Sequence, residues 1–434
     1  MVATVLPTHA EDRFRPEPVL AGAGDLLTAA LSGVGGTPVR WTPVQVTYRP
    51  RRSVNVSWDV HVRWADRSPT SERVVAHVGR RVPSGPGVAL LEGDDGVRAA
   101  IWAAPHDPVL VGMAAAMDPV RLSRLLVDVG LLTDLPDPAA IRTRVRAYRP
   151  RRRAVVEITT PGARMFAKVV PPGEAERLHE RHRVLVGRVP VPNSLGWTDD
   201  GIVVLEAAPG RTLRDVLLGP SGRSAAPVPP FASVTALLDR LPTELAERPG
   251  APPPLDRVAD HVGLLAAVVP DQAGRLGALA DALAEPLGAD PGGGPVVAHH
   301  GDLYEAQILV DGGHVTGLLD VDGAGAGHRI DDHATLLAHL SVLGRSLRHR
   351  RTEALGARWI REIDAVGDPA ELRRRVAAVV LGLATGPFRV QEANWQAATR
   401  RRIDLAESWL ASARRAALTS AAVAPESSLT TTSR

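Results

Sequence analysis

The run His299-His-Gly-Asp-Leu-Tyr-Glu-Ala-Gln-Ile-Leu-Val310, continued by Asp311-Gly-Gly-His314 and Val315-Thr-Gly-Leu-Leu-Asp-Val-Asp322, constrains this chain more than any other stretch. Two short β-prone segments flank a Gly-containing turn, which puts Asp302 on the loop before the first segment and Asp320 at the end of the second. Phosphoryl transfer needs a carboxylate that orients and deprotonates an attacking hydroxyl, and oxygen ligands that hold magnesium against nucleotide phosphates. Asp302 and Asp320 are of the right kind and order to supply the two functions.

A second constraint is a single lysine. Lys plus Arg total 51, yet Lys168 is the only Lys, so a bias toward Arg spared one position. A site that keeps Lys under that bias calls for a compact point charge on a flexible stem, which a planar guanidinium does not provide. Lys168 lies in the alternating run Arg164-Met-Phe-Ala-Lys-Val-Val170, after the turn Thr160-Pro-Gly-Ala163 and the strand-like Ala154-Val-Val-Glu-Ile-Thr159. A helix candidate, Glu174 to Leu185, follows two prolines. Hairpin, lysine, helix is the order of a kinase N-lobe, in which a strand lysine holds ATP phosphates and a helix Glu orients it. Glu180 is the expected partner, with Glu176 one turn earlier as the alternative. The kinase catalytic loop also places a metal-binding amide five positions after its catalytic Asp, and 302 + 5 is Gln307. His179 and His182 lack the i, i+4 zinc spacing and read as part of a solvated helix face.

His300-Gly-Asp-Leu-Tyr-Glu-Ala-Gln307 resembles the His-Gly-Asp-x-x-x-x-Asn signature of the aminoglycoside phosphotransferase and choline kinase superfamily, and Gly317-Leu-Leu-Asp-Val-Asp322 resembles its metal-binding segment. Val203-Val-Leu-Glu-Ala-Ala-Pro-Gly-Arg-Thr-Leu213 is similar to the family's hinge, which implies adenine contacts near Glu206 and Ala208. Asp332, within Arg329-Ile-Asp-Asp-His-Ala-Thr-Leu336, resembles the Asp that supports the catalytic loop. The resemblance spans roughly residues 141 to 345 and implies an α+β, protein-kinase-like bilobal fold with a β-rich N-lobe and a helical C-lobe. It further implies ATP and Mg2+ as cofactors and a small-molecule hydroxyl acceptor, an aminoglycoside, an amino sugar or another sugar. Three departures stand out: Gln307 replaces Asn, as in maltokinase-like relatives; Tyr304 stands where His is common; and Ala147-Tyr-Arg-Pro-Arg-Arg-Arg153 replaces the Gly-rich phosphate loop, its guanidinium groups either meeting phosphate or forming a solvated turn. Gln307 and the missing Gly-rich loop motivate the alternative, a pseudokinase that binds nucleotide or a partner without transfer.

Ahead of this region, Tyr48-Arg-Pro-Arg-Arg-Ser53 anticipates Tyr148-Arg-Pro-Arg-Arg-Arg153, and Val75-Ala-His-Val78 anticipates Phe166-Ala-Lys-Val169. The echo puts His77 where the lysine is, with a longer hairpin, because 148 − 48 is 100 but 168 − 77 is 91. Residues 1–140 are therefore expected to form an N-terminal α/β cap, a degenerate duplicate of the N-lobe that packs on it. Asp134-Leu-Pro-Asp-Pro138 marks the boundary, 141–212 the N-lobe, 213–418 the C-lobe with a loop at 219–230, and 419–434 a disordered tail. Gly323-Ala-Gly-Ala-Gly327 lacks dinucleotide spacing and reads as a flexible loop, with His328 and His333 as surface or supporting residues.

At 434 residues, with 44% hydrophobic and 23% charged residues, the chain can bury several sizeable cores. Its net charge is only +3 and its acids are interspersed with Arg, so no nucleic-acid partner is expected. The absence of Cys excludes disulfides and thiolate chemistry. No apolar run reaches membrane-spanning length, and the N-terminus lacks a basic segment followed by an apolar one, so the expectation is a cytoplasmic protein without a membrane partner.

Overall fold

Each Tyr-Arg-Pro-Arg-Arg segment turns between the first two strands of a five-stranded antiparallel sheet. The first sheet contains β1 (Gly36–Arg49), β2 (Ser53–Trp64), β3 (Thr70–Gly79), β4 (Val88–Glu92) and β5 (Arg98–Ala103), in the order β1-β2-β3-β5-β4. The second contains β6 (Arg142–Arg149), β7 (Arg153–Thr159), β8 (Arg164–Val169), β9 (Ser194–Trp197) and β10 (Ile202–Glu206), in the same order, β6-β7-β8-β10-β9. The computed structural model describes residues 14–93, 96–130, 136–220, 225–287 and 292–423.

The two sheets agree in register as well as order. Val54 faces Tyr48 and Val78, as Ala154 faces Tyr148 and Val169. One residue on, Asn55 faces His77 and Val155 faces Lys168. The longer first hairpin is present: β2 and β3 run 12 and 10 residues, against 7 and 6 for β7 and β8. Both turns carry a left-handed Arg at the same place, Arg51 (φ 61°) and Arg151 (φ 62°). In each the next residue's N–H, of Arg52 or Arg152, donates to the carbonyl of Arg49 or Arg149.

One hydrophobic core serves both sheets. Val75, Ala100 and Trp102 of the first sheet are buried with Ala154, Val156, Met165, Ala167, Val169, Ile202 and Val204 of the second, and with Leu110, Met113, Leu122 and Leu126. The last three come from α3 (Met113–Met117) and the amphipathic α4 (Pro119–Asp128), whose N-terminus is capped by the Asp118 carboxylate. Strand side chains alternate between faces. His77, cross-strand from Ala100, therefore points to the shared core, while Lys168, between Ala167 and Val169, points away from it.

Helices differ where the sheets do not. α1 (Pro16–Ala21) and α2 (Ala23–Ser32) precede β1, and the chain passes from β3 to β4 through residues 80–87 without a helix. β8 is instead followed by α5 (Ala175–Leu185), whose Ala175 and Leu178 pack with Val170, Val203 and Leu205. His182 is buried and its Nδ1 donates to the Pro192 carbonyl (2.7 Å), while His179 Nδ1 lies 2.8 Å from the Ser194 hydroxyl. The expected solvated face of this helix is thus corrected. Both imidazoles turn toward the chain that enters β9, because they share the stripe of Ala175, Leu178 and Leu185.

Both sheets fall within one compact unit, comprising residues 1–187, 191–208 and 387–395; the rest of the chain forms a second. The second unit opens with β11 (Arg211–Thr212), α6 (Leu213–Leu217), α7 (Phe231–Leu238), α8 (Val258–Val268) and α9 (Ala273–Ala284), followed by β12 (Val296–His299), β13 (Ile308–Asp311), β14 (His314–Leu318) and β15 (Gly325–His328). α10 (Arg329–Leu347), α11 (Arg350–Asp364), α12 (Pro369–Leu383), α13 (Gly386–Arg389) and α14 (Trp395–Val423) complete the chain. The architecture is α+β, a strand-rich N-terminal part and a helical C-terminal one. The expected boundary at 134–138 and the loop at 219–230 lie partly outside the described residues. α14 extends helix to Val423, into the segment expected to be disordered, and residues 424–434 lie outside the described ones.

The glycines after Asp322 are not a flexible loop. Gly325 to His328 is the strand β15, paired with β12 from Val296↔His328 to His299↔Gly325. A Cβ at Gly327 would sit 2.2 Å from the His299 ring, and one at Gly325 2.6 Å from the Gly250 backbone, so close packing explains these residues.

Candidate functional site

In the second unit, β13 and β14 form the hairpin foreseen from the sequence, and β11 pairs with the outer edge of β13. Asp302 lies before β13 and is exposed. Its loop is braced from behind by the buried Asp332 of α10, whose carboxylate accepts the N–H of His300 (2.8 Å, Oδ2) and of Gly301 (2.9 Å, Oδ1). Arg329 Nη1 lies 3.3 Å from the same Oδ2. His300 is fully buried, donates from Nε2 to the Leu319 carbonyl (2.9 Å) and accepts the Asp302 N–H on Nδ1 (3.3 Å), which fixes its tautomer. Gly301 adopts φ +82° with its Cα against the backbone of residue 323, where a Cβ would meet the Gly323 carbonyl at 2.5 Å.

Gln307 and Asp320 are brought together. The Gln307 amide N–H group donates to Asp320 Oδ2 at 3.4 Å, and the Gln307 backbone carbonyl accepts the Leu319 N–H (2.8 Å), tying the start of β13 to the end of β14. Asp320 itself is left-handed (φ 54°, ψ 51°), a conformation that Asp tolerates better than most residues and that recurs at functional positions. A carboxylate and the oxygen of a neighboring side-chain amide are hard donors of the kind Mg2+ prefers, and two protein ligands are enough for an ion that completes its shell with phosphate and water. Among the described residues no group of three His, Cys, Asp or Glu could hold a metal ion.

Tyr304, which the sequence marked as standing where His is common, and Glu305, to which it did not point, complete the loop. The Tyr304 ring stacks on His339 (4.3 Å between centroids, 25°), and the Arg214 guanidinium lies 5.6 Å from the ring. Burial and then the charge of Asp302 push the Tyr304 phenol up, and burial followed by Arg214 pulls His339 down to about 3. Arg214 also clamps Glu305, with a guanidinium nitrogen 2.6 Å from the buried carboxylate and its own N–H donating to the Glu305 carbonyl (3.0 Å). The 91 residues between the two left no local signal in the sequence.

In the first unit, Lys168 is buried at the center of its sheet between Val155 and Val203. Glu180 lies on the partly exposed side of α5, 3.5 Å from Arg183. Glu206 ends β10, its N–H donating to the Asn193 carbonyl (2.9 Å), and Ala208 lies two residues on. The arginine turn corrects one expectation. The Arg151 guanidinium is not held out for an anion but lies 3.1 Å from both ring nitrogens of His77, and the Arg151 backbone N–H donates to Asp107 Oδ2 (2.8 Å). Asp107 Oδ2 also accepts the Tyr148 hydroxyl (2.7 Å), which accepts in turn from Trp102 Nε1 (3.0 Å). Burial and then Arg151 lower His77 to about 4, and burial and then Asp107 raise the Tyr148 phenol.

The family model that matches the chain describes the "Phosphotransferase enzyme family" and aligns with residues 145–377, more than half of the chain. Solved structures similar to it include macrolide 2'-phosphotransferase type I (19% identity over 65% of this chain and 95% of that one, TM-score 0.40). Others are a thermostable mutant of aminoglycoside phosphotransferase APH(4)-Ia in ternary complex with ADP and hygromycin B (17%, 68% and 97%, TM-score 0.44) and the choline kinase of Cryptosporidium parvum Iowa II (10%, 73% and 97%, TM-score 0.42). A search of curated proteins gave no match.

Proposed function

We propose that this chain, which belongs to the phosphotransferase enzyme family, transfers the γ-phosphoryl group of ATP to a hydroxyl of a small molecule, an aminoglycoside, an amino sugar or another sugar. The observation that carries this reading is the pairing of Gln307 with Asp320 beside a loop on which Asp302 is exposed and braced. Asp302 orients the acceptor and takes its proton as the acceptor oxygen attacks the γ-phosphorus and ADP departs. Asp320 and Gln307 are the residues that would hold Mg2+, which when bound neutralises charge on the phosphates. Lys168 pairs with phosphate and Glu180 orients it, while the backbone near Glu206 and Ala208 meets the adenine.

The same reading makes residues 1–140 a cap descended from a duplicated N-lobe. Common strand order, the Tyr48/Tyr148 register and the matched left-handed arginines support it. It also takes the protein to be cytoplasmic, with neither nucleic acid nor membrane as partner; no helix among the described residues is long and apolar enough to cross a membrane.

A panel of aminoglycoside, amino-sugar and disaccharide acceptors, read by ADP release and product mass spectrometry, tests the activity. Asp302→Asn should abolish transfer and leave ATP binding nearly intact, and Gln307→Asn should retain activity. Transfer to none of the acceptors by the wild type, with transfer gained only on Gln307→Asn, would replace this reading with nucleotide binding without catalysis.

A further inference from the structure

Behind the catalytic loop lies a second set of charges that the reading above leaves unused. Asp331 and Asp332 are consecutive on the first turn of α10, so their side chains diverge by about 100° around the axis. Asp332 faces the loop, and Asp331 faces α12, where Arg375 Nη1 lies 2.5 Å from its Oδ1. Arg375 Nε donates to Glu371 Oε1 (2.7 Å), and Arg374 grips both oxygens of Glu371 (2.7 and 2.9 Å). The far end is tied to main chain: Arg374 Nη1 donates to the Leu283 carbonyl (2.8 Å) and Arg375 Nη2 to that of Gly292 (3.2 Å). No side chain of the four is more than 7% exposed, and their formal charges cancel.

Buried ion networks seldom add stability over apolar packing of the same volume, because desolvation offsets the attraction. What they supply is direction, since a forked guanidinium accepts a carboxylate in few orientations. Here the direction fixed is that of the first turn of α10, and through Asp332 that of the His300 and Gly301 amides.

We propose that Asp331, held by the Arg375–Glu371–Arg374 network, is a positioning residue for phosphoryl transfer: it sets the turn from which Asp332 holds the catalytic loop. The proposal rests on the reading of Asp302 as the catalytic base.

Hydrogen–deuterium exchange of the full-length protein reads the loop without any substrate. Asp331→Asn keeps the shape and removes the charge, and it should speed exchange in peptides covering 299–303 roughly tenfold. With the best acceptor of the panel it should lower kcat roughly tenfold while KM for ATP stays within about twofold. Arg373→Met removes instead an ion pair of α12 that lies outside the network, with Asp364 (2.7 and 2.6 Å); it should leave loop exchange and kcat within about twofold of wild type. An Asp331→Asn protein with wild-type loop protection overturns the proposal, as does an Arg373→Met protein whose loop exchange rises equally, since the loop would then respond to general stability alone. Should Asp331→Asn fail to fold, Arg375→Lys carries the same test, keeping the charge and losing the fork. A wild type inactive on every acceptor removes the proposed function, while the exchange comparison still decides whether Asp331 holds the loop.

Discussion

The two sheets of the first unit share order, register and turn, yet the position that holds Lys168 in one holds His77 in the other. The difference follows from which face is covered. In the first sheet the face of Asn55, Val75, His77 and Ala100 is pressed into the common core, and its imidazole is surrounded by Asn55, Arg81 and Arg151. In the second sheet the core takes the opposite face, and Lys168 points away from it. A lysine at 77 would be an ammonium sealed in a core beside a guanidinium, which costs several kcal/mol. The same strand arrangement therefore puts the imidazole into the shared core in one sheet and the lysine on the face that α5 covers in the other.

The sharpest way to break this comparison is to remove both residues. Lys168→Ala should lower kcat/KM for Mg-ATP by roughly 10²–10³-fold, with Tm close to wild type. His77→Ala should do the reverse, lowering Tm while the ATP dissociation constant from calorimetry stays within about twofold. Equal ATP affinity with and without Lys168 would mean that the second sheet is no more a ligand platform than the first.

A pH titration of stability sharpens the same point. His77 is lowered from 6.5 to about 4 by burial and Arg151, so between those values the unfolded chain binds a proton that the folded chain refuses. The neutral ring's contribution is complete above about pH 6.5 and is lost as pH falls toward 4, a span worth about 3 kcal/mol at most. His261 and His333 are lowered similarly, so the quantity to measure is the difference between wild type and His77→Gln in urea unfolding at pH 7 and pH 4.5. Parallel pH curves for the two proteins would show that His77 is not buried as a neutral ring.

A smaller effect belongs to the hydrogen-bonded chain that joins the sheets. Tyr148→Phe leaves Trp102 Nε1 without its acceptor and Asp107 without one of its donors, both in the core, and should cost about 2 kcal/mol in denaturant unfolding. A loss below about 0.5 kcal/mol would argue that the two sheets are joined by apolar contact alone.

What could be read in advance divides along sequence distance. The hairpin after His299 was legible because its acids, amide and turn glycines lie within two dozen residues, and the contact that joins Gln307 to Asp320 across it is a local structure. The His77 register was legible from the Tyr-Arg-Pro-Arg-Arg echo, since a repeated turn fixes the pairing on both sides of it. Arg214 with Glu305, and Arg375 with Asp331, were not legible, because partners separated by 91 and 44 residues meet only through tertiary packing. The inward turn of His182 and the strand at Gly325 were misread for a related reason. Polar and glycine-rich text looks solvated or loose until a neighbor, Pro192 or the ring of His299, is known to lie against it.

The smallest expected effect separates the two turns themselves. Arg51 and Arg151 occupy the same left-handed position, which costs a residue with a Cβ roughly 1–2 kcal/mol relative to glycine. Replacement by Gly removes that strain but adds freedom to the unfolded chain worth roughly 0.4–1 kcal/mol, so the backbone gain alone is about 0.5 kcal/mol. Arg51 is exposed, and Arg51→Gly should therefore raise stability by about that amount. Arg151→Gly gains the same backbone relief and keeps the N–H that Asp107 accepts, but it removes the guanidinium packed on His77. That loss should cancel the gain or exceed it by about 1 kcal/mol, giving the two substitutions opposite or at least unequal signs in urea unfolding. Removing the guanidinium should also let His77 titrate at higher pH, because Arg151 is the larger of the two charges that hold it down. Equal gains at both turns, with His77 titrating as before, would mean that the arginine in the second turn does nothing that the arginine in the first does not.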